Sequence, residues 1–180
     1  MLPRGRLREP LRGLSRADCI VITRTEEITE IGLIKDRIKK VAGDDVPVLT
    51  SRMVTSRFRA LNHESDPATL LSQPIAAFCG VGNPASFFNH LRRAGYQLVL
   101  TKAFPDHHRY QEPELNALVG EATAVGAKSL VTTAKDATKL KDLKLDLPGN
   151  VMEIQISIDD EDRLVDLIRK AIFKPAARSN

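Results

Sequence analysis

Along the chain, short apolar runs alternate with longer stretches in which apolar residues recur every three or four positions. A sheet covered by helices produces this alternation. A strand buried on both faces reads as a continuous apolar run, while a surface helix keeps one apolar stripe. The runs Cys19 to Thr23, Val46 to Thr50, Ile75 to Cys79, Gln97 to Thr101, Ser129 to Thr133 and Val151 to Ser157 predict strands. Arg57 to Asn62 predicts one more, set against Val48 to Val54 as a small β-hairpin. Helical period predicts helices over Ile28 to Val41, Pro84 to Ala94, Pro113 to Val125 and Glu161 to Phe173, with a short one from Asp136 to Leu140.

The boundaries have local causes. Asn83 before Pro84 supplies a capping acceptor and then a residue whose missing amide had no partner in any case. Gly95 and Gly126 tolerate the left-handed backbone that closes a helix. Asp159 or Asp160 caps the last helix, where Leu164, Leu167, Ile168 and Ile172 recur at helical spacing. The fold class is therefore α/β, a mostly parallel sheet flanked by helices in a Rossmann-like lobe. Residues 1–174 read as a single lobe, 175–180 as a frayed tail, and Asn62 to Gln73, rich in Ser, Asp and Pro, as its flexible segment.

Composition narrows the function classes. With 42% hydrophobic and 28% charged residues in 180, the chain can bury a core and is not a disordered segment. Cys19 and Cys79 stand far apart inside apolar runs, which predicts buried free thiols in a reducing cytoplasm rather than a disulfide framework or zinc site. The net charge of +4 raises the question of nucleic acid, but aromatics are only 4% and most bases are interspersed with acids, so no nucleic-acid partner is expected. Arg4, Arg6, Arg8, Arg12 and Arg16 are the exception, a basic arm that reads either as phosphate-seeking or as simply solvated. No signal peptide is visible and no run reaches the ~20 apolar residues of a membrane span, so any membrane contact is expected to be peripheral or else to lie in sequence outside these residues.

Three segments carry candidate chemistry. Gly80-Val81-Gly82-Asn83-Pro84-Ala85 follows a predicted strand, opens a predicted helix and satisfies G-x-G-x-x-G/A. Pro84 deletes one helix-start amide and no acid ends the next strand, so a tight strand-to-helix turn stands beside the cofactor reading. Lys102-Ala103-Phe104-Pro105-Asp106-His107-His108-Arg109-Tyr110 sets two imidazoles and a carboxylate just past a strand end, where open α/β sheets bind ligands. Neighbouring side chains in an extended segment point apart, so one His can face a substrate while the other packs. An imidazole beside a carboxylate suits general-base work. His63 and His90 are not at ligand spacing to this pair, so no metal site is expected. Thr132-Thr133-Ala134-Lys135-Asp136 brings hydroxyls, an ammonium and a carboxylate to a third edge, with Asp136 either capping a helix or touching a substrate.

Taken in order, Leu7-Arg8-Glu9-Pro10 with Arg16-Ala17-Asp18, Phe78-Cys79-Gly80-Val81-Gly82-Asn83-Pro84 with Phe87-Phe88, Phe104-Pro105-Asp106-His107-His108, and Thr132-Thr133 with Lys135-Asp136 resemble the tetraacyldisaccharide 4′-kinase family. The resemblance runs from about Leu2 to Leu140 and departs at Ala134, where the family usually has Glu. It implies two α/β lobes with the site between them, of which this chain looks like the second, carboxy-terminal one. It further implies transfer of the γ-phosphate of ATP to the 4′-hydroxyl of a tetraacyldisaccharide 1-phosphate, in lipid A biosynthesis at the cytoplasmic face of the inner membrane.

No G-x-x-x-x-G-K-[ST] occurs in the sequence. ATP and Mg2+ are accordingly expected to bind mainly to a P-loop lobe that this chain lacks, and the chain alone is expected to be inactive. A truncated gene, a split gene or a misplaced start codon would each account for that. By the same resemblance His107 pairs with an acid of the other lobe to receive the hydroxyl proton, supported by Asp106 or His108. Arg8, Gly82, Asn83, Thr133, Lys135 and Asp136 are the substrate-binding candidates. Two other readings stay open: a non-catalytic module that binds lipid phosphate, and a dinucleotide-binding oxidoreductase domain resting on Gly80 and Gly82.

Overall fold

Every side chain from Ile75 to Cys79 is buried, as an apolar strand requires when both its faces are covered. In a computed structural model, which describes residues 9–61, 71–140 and 145–173, this run is a central strand of an α/β fold. The elements in chain order are a 3-10 turn (Leu11–Arg16), β1 (Ile20–Ile22), a second 3-10 turn (Thr25–Glu27), α1 (Ile31–Ala42), β2 (Val48–Ala60), β3 (Ile75–Cys79) and α2 (Pro84–Arg93). There follow β4 (Leu98–Ala103), α3 (Glu112–Ala124), β5 (Ser129–Thr133), α4 (Ala134–Ala137), β6 (Gly149–Ile158) and α5 (Glu161–Ile172).

The strand order is β1-β2-β6-β5-β3-β4. Pairing is parallel for β1 with β2, β3 with β4 and β5, and β5 with β6. Where β2 meets β6 the direction reverses: the Leu61 amide donates to Gly149 O and the Asp159 amide to Thr50 O, so partners descend as β2 ascends. The mostly parallel α/β class expected from the sequence is the class observed. The expected hairpin of Val48 to Val54 with Arg57 to Asn62 is instead one strand of 13 residues. The intervening Thr55-Ser56 offers no glycine, proline or asparagine to turn on, and the β-branched residues around it favour extension.

The chain divides into two compact units, Met1–Val54 with Gln155–Asn180, and Thr55–Ile154. The second unit holds two apolar clusters. Phe87, Phe88 and Leu91 of α2 pack on Ile75, Ala77 and Cys79, while Leu115, Leu118, Val119 and Ala122 of α3 pack on Ala76, Phe78 and Leu130. Alternate residues of β3 thus point into different clusters, which places α2 and α3 on opposite faces of the sheet. Each fully buried leucine here contributes about 1.5–3 kcal/mol.

In the first unit β1 and β2 form a short parallel pair, Ile20 opposite Val48 and Ile22 opposite Thr50. Asp159 fastens it by accepting from the Thr50 amide (2.9 Å) and hydroxyl (2.7 Å), and Asp160 rather than Asp159 caps α5 by accepting from Arg163 N. Among the described residues of this unit only Leu49 and Ser51 are buried. Cys79 is buried, its thiol pushed up to about 11 chiefly by that burial, whereas Cys19 is half-buried rather than enclosed. No helix among the described residues is long and apolar enough to cross a membrane.

Candidate functional site

Because β5, β3 and β4 are parallel neighbours, their carboxyl ends lie on one edge, and each of the three candidate segments begins there. The chain leaves β3 through α2 to β4 on one side, then returns through α3 to β5 on the other. That reversal is a topological switch point, the place where open α/β sheets leave a crevice between diverging loops. The glycine turn after β3 and the Thr-Thr turn after β5 flank it.

Asp136 ties these two turns together. It is 0% exposed. One carboxylate oxygen accepts from the Gly80 amide (3.0 Å) and the Thr133 hydroxyl (2.8 Å), and the other from Lys139 Nζ (3.2 Å). Thr133, not Asp136, is the helix cap, accepting from the Asp136 amide, so α4 begins two residues earlier than expected. Both oxygens are turned inward, and Asp136 shapes the edge by holding the two turns together.

The histidine loop closes over the same turn. The His107 amide bonds to Gly80 O (3.3 Å) and Asp106 Oδ1 (3.0 Å). A Cβ on Gly80 would meet His108 Cβ and Pro105 O at 3.1 Å and the Tyr110 hydroxyl at 3.2 Å, so the close approach needs glycine. Gly82 lies against the Asp106 carboxylate, which also receives Lys135 Nζ at 3.1 Å. Asn83 caps α2 through Ser86 N.

The two imidazoles separate in role. His107 has a left-handed backbone (φ 62°) and a 76% exposed side chain, its Nε2 3.7 Å from Asp106 Oδ2. The His108 side chain is 20% exposed, stacks on Phe104 with ring centroids 4.8 Å apart, and bonds Glu114 Oε2 through Nε2 at 3.0 Å. Arg8 lies outside the described residues, as do Arg4, Arg6, His63, most of Asn62 to Gln73 and the 175–180 tail.

Sequence reasoning missed Glu114 and Lys139. The first had a legible signal: Gln111 and Glu114 form a reciprocal capping box at the start of α3, and the same carboxylate then reaches His108. Lys139 also had one: it stands three positions past Asp136 in the predicted short helix, the spacing at which helical side chains pair. Tyr110 closes the histidine loop against Phe104 and His108. Its hydroxyl is buried with no hydrogen-bond partner, close enough to Asp136 to feel its charge without meeting it in bonding geometry. Burial first, and that charge second, push the phenol well above its ordinary value.

Lys135 hydrogen bonding, aided by the neighbouring His107, holds the Asp106 carboxyl below the usual range, and the bond from His108 does the same for Glu114. A depressed folded value stabilises the fold above the unfolded carboxyl range, near pH ~4, and the contribution is lost as pH falls through the folded value. Glu114→Gln should therefore melt below the parent at pH 7, with the two midpoints converging as the solution is acidified toward pH ~3. Circular dichroism melts across that range check this; parallel curves would show that the contact contributes nothing.

An exposed imidazole, a carboxylate and an ammonium converge on the switch point of a parallel sheet, and together they define an α/β protein of the kind that binds ligands at its strand ends. The family model for tetraacyldisaccharide-1-P 4′-kinase, LpxK, matches residues 1–172. The chain belongs to the tetraacyldisaccharide 4′-kinase family. It is 31% identical to the kinase of Halothermothrix orenii, over 94% of this chain and 49% of that protein, and 34% identical to that of Koribacter versatilis, over 96% and 48%. A solved kinase of Aquifex aeolicus, in complex with ATP, shares the fold at a TM-score of 0.60 and 23% identity, covering 96% of this chain and 48% of that one. The chain spans about half the length of the curated relatives it matches.

Proposed function

We propose that this chain works as the second lobe of an ATP-dependent kinase that phosphorylates the 4′-hydroxyl of a tetraacyldisaccharide 1-phosphate, with a P-loop lobe completing the site. The observation that carries the reading is the convergence of the Gly80 turn, the Asp106-His107 loop and the Thr133-Lys135 turn on one strand edge, with His107 left in solvent.

ATP supplies the transferred phosphoryl group. The residues described here do not form a cradle for it: the sequence has no P-loop, and among the described residues no group of three His, Cys, Asp or Glu could hold a metal ion. ATP and Mg2+ are therefore assigned to the other lobe, and this chain's part is to orient the acceptor and move its proton. His107 receives the hydroxyl proton, Asp106 steadies the ring, and Lys135 with the Gly82, Asn83 and Thr133 polar groups holds the substrate's anionic parts. His108 and Asp136 keep the loops in register, and the Arg8 guanidinium is a partner for lipid phosphate. Work on such a substrate places the protein in the cytoplasm, touching the inner membrane from its surface.

The test is a chimera in which the unmatched half of the Halothermothrix orenii kinase is joined to this chain. ATP-dependent phosphorylation of the tetraacyldisaccharide 1-phosphate by the chimera, and none by this chain alone, is the expected result. An inert but folded chimera, beside an active parent kinase, would overturn the reading.

A further inference from the structure

Among its described residues the first unit is an α/β layer without a cover. Parallel strand pairs are found where both faces are shielded, yet β1 has no buried residue, and neither has α1 or α5. The apolar side chains that could shield such a layer are in water. On α5, Val165, Ile168 and Ile172 form one i, i+3, i+7 stripe, 38%, 49% and 69% exposed, extended by Phe173 at 79%; on α1, Leu33 is 63% exposed. A contiguous apolar face of this kind marks an interaction surface.

We propose that the α5 stripe is the docking surface for the P-loop lobe of the kinase, packed against it as a second α/β layer. The inference rests on the second-lobe reading and goes further by naming the face. Two observations favour this occupant. The relatives that match nearly all of this chain, α5 region included, are about twice as long, so each carries a further half available to cover the stripe. The charges of α5 also balance, Glu161, Asp162 and Asp166 against Arg163, Arg169 and Lys170, whereas a helix that lies on anionic lipid is rich in Lys and Arg on its polar face.

Hydrogen exchange on the Halothermothrix chimera and on this chain alone tests it. In the chimera the α5 amides should exchange at least tenfold more slowly, with α3 unchanged. Ile168→Asp, which alters a side chain already half in water, should abolish that added protection while leaving α3 as it was; Val165→Asp should repeat the result. Equal exchange of α5 in the two proteins, or protection indifferent to both substitutions, would overturn the proposal. So would α5 protection in this chain alone that grows with concentration, the mark of a second copy, or with phosphatidylglycerol vesicles, the mark of a membrane. A chimera protected at α5 but without kinase activity would leave the docking face standing and remove the kinase reading; activity without protection would do the opposite.

Discussion

In the chimera, His107→Ala lowers turnover by ~10²-fold or more while the KM for the lipid substrate stays within about threefold. The expectation follows from what His107 lacks. Its side chain is 76% exposed and its Nε2 stands 3.7 Å from Asp106 Oδ2, so removing the ring disturbs no core among the described residues. A loss confined to turnover is the signature of a group used in the transition state. The backbone there, φ 62°, is left-handed and disfavours any Cβ by about 1–2 kcal/mol, histidine's as much as alanine's, so alanine leaves that strain as it was and glycine relieves it. His107→Gly removes the imidazole and fits that backbone. Both variants should fall together in turnover; either one as fast as the parent would take the imidazole out of the mechanism.

Asp136→Ala lowers unfolding stability by about 3–5 kcal/mol, at about 1–3 kcal/mol for each buried donor left without its acceptor. Three donors lose their acceptor at once: the Gly80 amide, the Thr133 hydroxyl and Lys139 Nζ. Asp136→Asn should cost less, about 1–3 kcal/mol, because its carbonyl can still serve Gly80 and Thr133 while Lys139 turns to solvent. Urea denaturation of this chain by itself measures both. An alanine variant as stable as the parent would mean that the two turns do not depend on this carboxylate.

The sheet was most legible where its strands are buried on both faces. Ile75 to Cys79 and Ser129 to Thr133 have the bounds in the structure that the apolar runs give them. Helix bounds fell within three residues where a cap announced them, as Asn83-Pro84 does for α2. β2 was read as two strands of a hairpin, Val48 to Val54 and Arg57 to Asn62, because alternation resumes at Arg57 after the polar Thr55-Ser56. In the structure both arginines reach Glu153 on β6, at 2.6 and 2.7 Å, a cross-strand pairing that no local pattern contains.

The candidate site was legible as three segments and illegible as a network. Sequence placed Asp136 in a turn, but its burial depends on Gly80, 56 positions away. The exposure of His107 against the packing of His108 likewise depends on Phe104, Tyr110 and Glu114, which meet only once α3 is laid on the sheet. Alternation along the loop could say that the two rings part company, not which one goes inward.

Glu114 serves two masters with one oxygen, taking a proton donor from the Gln111 backbone at 3.1 Å and another from the His108 ring at 3.0 Å. Fraying at the head of α3 and release of the His108 ring are consequently a single event. A substrate that shifts the loop must loosen the helix start as well, and whatever stiffens that helix start will hold the neighbouring imidazole on station.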